Sequence, residues 1–533
     1  MVEGPFRESR ESSSLATRTV RNSVYNVTGW VWSTGLSFVL MPYIVRRLGV
    51  DAYGILALVG TVLGYFAFLD LGLGAATVKY VAEYYANRDY ESIGRIVSAA
   101  LVVYFLLGLF GCVALFSITG VMVTRVLKVP IDLISLAKFS FYMASVGFLA
   151  NMVLGVFGSI PAALQRYDIS NKISIAVGSL TTLATAGLLA RGFWLREVVI
   201  LNLSVTILTV VIYVALTRRL LPEVKLAFSP NSLVFGRLFK FGVFMTFNQL
   251  SALVTYRIDH LLLGILLGTA SVAFYAIPFN LLRTFQSIVY RLSEVMFPVA
   301  SELSATSQTH RLERGYFSTA KLVLTLNSAL FLPLTILAKR VLEFWMGSEF
   351  AVKGSLVMIY LGVAYWLISF TMIPALLVNG IGRPKVTAGF AGLTAGINLI
   401  LVFPLIKHMG ISGAALATLI SVLHVPFDVW YMNREVIKVS NREFFRKACA
   451  KPLIATAISG LVIHLFLGRL ISGLFTLALV VGASVLISFL ISLSIGVFGP
   501  EERRAFTGYV GTVWPVRLVV LKSLSSRFSN LLR

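Results

Sequence analysis

Five polar residues recur at intervals of three or four along an otherwise apolar stretch: Asn280, Arg283, Ser287, Arg291 and Glu294. At about 100° per residue, a helix gathers them into a stripe about 80° wide. Two guanidinium groups on one helix face match phosphate oxygens bidentately, and the amide, hydroxyl and carboxylate suit polyhydroxylated groups. This chemistry is binding, not bond-breaking. The alternative is an Arg291–Glu294 pair that only fixes helix packing.

A second set lies upstream. Asn248, Thr255 and Asp259 share one face of a helix, while Arg257 points almost opposite to Asp259. Asp259 is the carboxylate of this set, as Glu294 is of the first. Asp70 and Asp428 fall near the ends of apolar runs and read as interfacial. Catalytic signatures are missing: there is no G-x-x-x-x-G-K-[ST] phosphate loop. Gly72-Leu73-Gly74 sits within an apolar run, where small residues serve close helix packing. The five histidines, His260, His408 and His464 among them, have no ligand spacing, and Cys112 and Cys449 imply neither disulfide nor metal. No catalytic residue and no metal or other cofactor is expected.

The elements that must position these residues are membrane helices. The chain has 533 residues, is 57% hydrophobic and only 13% charged, about half the charge of a soluble domain. Such a surface is stable only under lipid. The net charge of +23 is distributed between apolar runs, which excludes a nucleic-acid arm. With about 20 apolar residues per crossing, the spans read 24–45, 52–76, 97–118, 138–160, 173–191, 197–217 and 241–266. The second set reads 271–298, 316–338, 354–378, 387–406, 412–432, 452–470 and 473–497. Any stripe of ionisable groups inside such a span costs several kcal/mol unless it faces a cavity.

Charge bias orients the spans. The tails and even-numbered connections hold about 30 of the 46 Lys and Arg, the opposite side about 12. Both termini are therefore expected in the cytoplasm. The polar start lacks the short apolar core of a cleaved signal peptide. From Trp514 through Leu518, Leu521, Leu524 and Phe528, apolar residues alternate with Arg517, Lys522 and Arg527, reading as a basic amphipathic helix on the inner leaflet.

An internal repeat is visible. Leu48-Gly49 before Ala52-Tyr53-Gly54-Ile55 returns as Leu267-Gly268 before Phe274-Tyr275-Ala276-Ile277, and the Gln165-Arg166 turn returns near Gly382-Arg383. The offset spans six crossings, so the copies are parallel and a cavity lies between them. The expected fold is all-α: about fourteen transmembrane helices, in two parallel six-helix lobes plus two C-terminal helices around a central cavity. The segments are a cytoplasmic start (1–23), a first lobe (24–217), a basic linker (218–240) and a second lobe (241–432). A basic loop (433–451), a terminal helix pair (452–497) and a basic amphipathic tail (498–533) complete the chain.

The order of Asp51-Ala52-Tyr53-Gly54, Asp70-Leu71-Gly72-Leu73-Gly74, Ala163-Leu164-Gln165-Arg166-Tyr167, Asn379-Gly380-Ile381-Gly382-Arg383-Pro384 and Gly410-Ile411-Ser412-Gly413-Ala414-Ala415 carries a resemblance. Over most of 20–440 the chain resembles the polysaccharide transporter, or Wzx-type O-antigen flippase, branch of the multidrug/oligosaccharidyl-lipid/polysaccharide exporter superfamily. The resemblance implies a flippase of the cytoplasmic membrane for polyprenyl-pyrophosphate-linked oligosaccharide, working by alternating access. It implies a lipid-linked oligosaccharide substrate, membrane lipid as solvent, and a polysaccharide polymerase and sugar transferases as pathway partners. The matched motifs are packing and turn positions. The substrate-binding set, Arg283, Arg291, Asn280, Glu294, Asp259, Asn248 and Arg257, therefore rests on the intramembrane polar residues alone. A cation-coupled drug exporter and a peptidoglycan lipid-precursor flippase are the transport alternatives. A membrane glycosyltransferase or polymerase is disfavoured, because the longest connection, about 218–240, is short and basic.

Overall fold

The computed structural model describes residues 29, 32–70, 72–224, 258–294, 296–305, 309–500 and 502. Asn248 and Arg257, the N-terminal segment through residue 23 and the tail from Arg503 lie outside the described residues. So do most of the 218–240 linker and the start of the seventh span. Among the described residues every regular element is a helix.

The first lobe begins with α1 (residues 32–48) and α2 (Val50–Phe66), followed by α3 (Leu73–Ala86) and α4 (Tyr90–Val121). It continues through α5 (Ile134–Ala163), α6 (Tyr167–Ala190) and α7 (Leu195–Leu220). The second lobe contains α8 (residues 258–266), α9 (Thr269–Ser293), α10 (Met296–Ala305), α11 (Thr309–Ile336) and α12 (Ala338–Trp345). It closes with α13 (Ser348–Gly380), α14 (Pro384–Met409), α15 (Ile411–Ser421) and α16 (Val425–Tyr431). After α17 (Asn441–Phe444) come α18 (Ala450–Leu465) and α19 (Leu474–Ser494).

Eleven helices among the described residues are long and apolar enough to cross a membrane. Three expected spans are not among them. The first and seventh fall partly on undescribed residues, and the eighth, α9, has 25 residues but carries the polar stripe.

Two spans differ in detail from the reading by length. The second does not continue to residue 76: α2 ends at Phe66, a tight turn runs through Ala67–Asp70, and Gly72 (φ 67°) reverses the backbone before α3. A positive φ is cheap only for glycine, so Gly72 is a turn residue before it is a packing residue. The twelfth span is broken between α15 and α16 at residues 422–424.

The repeat appears in the backbone. Gly49 (φ 85°) precedes α2 and Gly268 (φ 98°) precedes α9; Gln165 (φ 56°) and Gly382 (φ 84°) turn the chain after α5 and α13. Repeat-related helices α2 and α9 pack against each other across the lobes. Their approach is close enough that a Cβ on Gly54 would lie 1.9 Å from the Thr269 carbonyl oxygen.

Three apolar cores explain the shape. One is shared across the lobes, running from Leu48, Ile55 and Leu58 through Leu127 and Phe141 to Leu263, Phe274 and Trp345. The second lies wholly in the first lobe, around Leu73, Ile96, Tyr104 and Ile160. The third joins the second lobe to the segment that follows it, around Val289, Tyr316, Leu377 and Phe444. The lobes are thus fused at the end bearing the α1–α2 and α8–α9 turns. At the other end, which bears the basic connections, each closes on its own core.

Candidate functional site

The fused end is a seal made of backbone and polar side chains as well as apolar ones. The Thr269 hydroxyl donates to the Asp51 carboxylate across the lobes. Asp51, in the first turn of α2, thereby meets the N-terminus of α9, where a carboxylate is favoured by the helix dipole. The Lys128 backbone N–H donates to Gly264 O (3.1 Å) and its ammonium to Leu266 O (2.7 Å). Trp345 of α12 stacks on Phe38 of α1 (centroids 4.4 Å apart) and donates its indole N–H to the Phe38 carbonyl at 2.9 Å.

Inward from this seal the character of α9 changes within one turn. Val272 through Phe279 are all buried, and Asn280 is exposed. The Asn280 side chain lies beside Tyr53 of α2. The residues that share its face of α9 therefore lie on the side of the helix turned toward the first lobe.

Arg283 is exposed, its guanidinium 5.9 Å from the centre of the Phe279 ring. Ser287 donates to the Thr284 carbonyl at 2.7 Å. Arg291 and Glu294 are both exposed, and among the described residues they form no ion pair with each other. The packing-only alternative therefore lacks its contact. A guanidinium beside lipid without a counter-charge is costly, and a guanidinium facing a wet cleft is poised for an anion.

Asp259 is separated from the stripe. It is 2% exposed, enclosed in the second lobe by α8, α9, α14 and α15. Its Oδ2 accepts from Tyr275 Oη (2.5 Å) and from Thr418 Oγ1 (3.1 Å). Asn398, fully buried, donates to Thr418 Oγ1 at 3.3 Å. Asp259 Oδ1 and Asn398 Oδ1 find no hydrogen-bond partner among the described residues. Such oxygens are expensive to bury unless something occupies them. A buried carboxylate oxygen of this kind suits a hard cation or a proton.

Tyr275, Asn398 and Thr418 escaped sequence reasoning; the only signal was that Asn398 is a lone amide in an apolar run. Two interfacial carboxylates are also built in. Asp70 accepts from the buried Tyr104 hydroxyl, and Asp428, 3% exposed, contacts His424 Nδ1 at 2.8 Å.

A chain of two fused lobes, with a polar helix hanging below the seal, is the setting for its comparison with known proteins. Residues 19–304 match the family described as "Polysaccharide biosynthesis protein". The chain belongs to that family.

It is 24% identical to the uncharacterized membrane protein EpsK of Bacillus subtilis (strain 168), over 81% of this chain and 86% of that one. Identity to a putative O-antigen transporter of Shigella flexneri is 21%, over 76% and 95%. A probable low-salt glycan biosynthesis flippase, Agl15 of Haloferax volcanii, is 22% identical over 78% and 83%. Among solved structures, the chain superposes on the lipid II flippase MurJ in an inward closed conformation (TM-score 0.68, 14% identity, 89% of this chain and 98% of that one). It superposes equally on an inward-facing multidrug resistance MATE family transporter of the MOP superfamily (TM-score 0.67, 15% identity, 76% and 94%). These likenesses establish the fold: a multi-pass, two-lobed transporter architecture with a terminal helix pair.

Proposed function

We propose that this protein is a flippase that moves polyprenyl-pyrophosphate-linked oligosaccharide across the cytoplasmic membrane for surface polysaccharide biosynthesis. The observation that carries this reading is the stripe on α9. It begins where the seal ends, lies on the side of α9 that meets α2, and carries an exposed Arg291 that forms no ion pair among the described residues. The relatives described as an O-antigen transporter and a glycan biosynthesis flippase support the substrate class.

Arg283 and Arg291 take the pyrophosphate, Asn280 and Glu294 meet the sugar, and the polyprenyl tail stays in the bilayer. Asn248 and Arg257 belong to the same binding set. On the charge bias we read the basic end, with both termini, as cytoplasmic, which puts the fused end on the outer side. The chain works as a transporter and not as an enzyme, alongside the polymerase and sugar transferases of its pathway.

Asp259 serves coupling instead of sugar binding. Asp259, Asn398 and Thr418 would hold a sodium ion or a proton, whose charge offsets a buried carboxylate that otherwise has only hydroxyl donors. Filling and emptying that site biases the packing of α8, α14 and α15 around α9.

The test is export of surface polysaccharide in a strain lacking its own copy, complemented with Arg291→Ala or Arg291→Lys. Losing a charge-assisted bidentate contact removes about 2 kcal/mol of binding, or roughly 30-fold. Arg291→Ala should abolish most export at normal membrane levels, with partial recovery in Arg291→Lys. Full export by Arg291→Ala would remove the assignment.

A further inference from the structure

A second polar site, distinct from the α9 stripe, lies at the basic end of the second lobe. There the start of α11, the residues from Glu443 to Lys451 and the segment after α19 enclose a pocket of about 690 Å³. Three connections distant in sequence, each read separately as basic, converge on one concavity. None of its lining residues belongs to α9, so the site is independent of the proposed substrate cleft.

The lining carries five Lys and Arg (Arg314, Lys321, Arg446, Lys447 and Lys451) against Glu313, Glu443 and Glu502, a surplus of two positive charges. Most of the others are spent on holding the walls together. Glu502 pairs with Lys321 (2.6 Å), accepts from Ser318 (2.7 Å) and accepts the Gly499 N–H (2.8 Å), clipping the segment after α19 to α11. Lys451 donates to the Gly496 carbonyl at 2.8 Å, and Lys447 pairs with Glu443. Arg314 and Arg446 are exposed and form no ion pair among the described residues.

We propose that this pocket binds a phosphate-bearing anion of one or two negative charges. Two guanidinium groups at the mouth of a walled pocket offer the forked donors that phosphate oxygens accept. The surplus of two charges is what such an anion neutralises. The floor includes Phe317, and beside Arg446 the apolar Phe445 is 56% exposed, so an anion carrying acyl chains finds apolar surface next to the charge. Basic pockets between helices at the cytoplasmic face hold acidic headgroups by this combination. The ligand bridges α11 to both helices of the terminal pair, which otherwise meet there through the Glu502 and Lys451 contacts.

The experiment uses the purified full-length protein. Thermal stability and retained lipid are measured with phosphatidylglycerol, with phosphatidylcholine and with inorganic phosphate. Wild type is compared with Arg314→Gln/Arg446→Gln and with Lys438→Gln/Arg442→Gln, which removes two basic residues that do not line the pocket. Phosphatidylglycerol should stabilise wild type, phosphatidylcholine should not, and the pocket variant should bind phosphatidylglycerol roughly tenfold or more weakly. Stabilisation by inorganic phosphate as well assigns the free anion as a ligand; stabilisation by phosphatidylglycerol alone assigns the lipid headgroup. The proposal is overturned if neither anion stabilises wild type, if the pocket variant binds like wild type, or if the control variant loses as much affinity. A failure here leaves the Arg291 test untouched, because export is read separately.

Discussion

Replacing Gly54 by alanine tests whether the α2–α9 crossing is the seal between two states. The new methyl group would lie 1.9 Å from Thr269 O and 2.6 Å from its carbonyl carbon, both backbone atoms that cannot rotate away. Ordinary contact begins near 3.4 Å, so α2 and α9 must retreat by about 1.5 Å. Overpacking of this kind costs about 1–3 kcal/mol, and the cost exists only while the helices are in contact. Alanine also raises helix propensity by about 1 kcal/mol, but it does so in both states and cancels from their difference. The state with the helices in contact should therefore lose population by roughly 5- to 150-fold relative to the alternative.

The assay is a distance distribution between spin labels at Arg47→Cys in the first lobe and Lys353→Cys in the second, with Cys112 and Cys449 replaced by serine. Gly54→Ala should enrich the longer distance. Gly60→Ala, two turns along the same helix with open space around its Cβ, should leave the distribution of the parent. An unchanged distribution in well-folded Gly54→Ala would refute the idea that this backbone contact holds the lobes together.

Three other outcomes follow from the same geometry. Asp259→Asn should abolish any stabilisation by sodium in a melting assay, with Thr418→Val weakening it in the same direction; sodium stabilising all three proteins equally would sink the coupling site. Trp345→Phe keeps the stack on Phe38 but loses the indole hydrogen bond, so the seal should weaken by about 1 kcal/mol, read as a partial form of the Gly54→Ala distance change. Burial pushes the Glu502 carboxyl up, but Lys321, Ser318 and the Gly499 amide together hold it below its ordinary 4.5. A depressed folded value means that its stability contribution is present above 4.5 and is lost as pH falls through the folded value. Glu502→Gln should thus melt lower than wild type at neutral pH, and the difference should close in acid.

How much of this was legible depended on whether the signal was local. The α9 stripe was, because Arg283, Arg291 and Glu294 are costly residues whose spacing alone places them on one face. The repeat was, because Gly49 and Gly268 mark the same left-handed turn before α2 and α9. The break after α2 was not: apart from Asp70, residues 67–76 carry no charge through it, and hydropathy carries no information on backbone handedness. Asp259 was read as an intramembrane carboxylate, but periodicity along its own helix cannot tell which neighbours it meets. Tyr275 and Thr418 reach it from positions 16 and 159 residues away, with Asn398 bonded to Thr418, and only packing reveals that they turn it from the stripe into the lobe.

That placement joins binding to motion. The first half of α9 is buried in the shared core and carries the Thr269 and Asn280 contacts to α2, while its second half carries the arginines. Pro278 lies between them, buried, and its ring removes one backbone hydrogen bond from α9 at the join. Tyr275, one turn earlier, donates to Asp259. An ion at Asp259 therefore acts on the same turn of helix that borders the seal. Any change there would reach the α2 contact through Thr269 and the proposed anion-binding face through Arg283, without a separate relay. Pro278→Ala should restore the missing hydrogen bond and stiffen that join. Export should then fall while the purified protein melts higher, and a variant with raised export would contradict the idea that transport needs a compliant join at this turn.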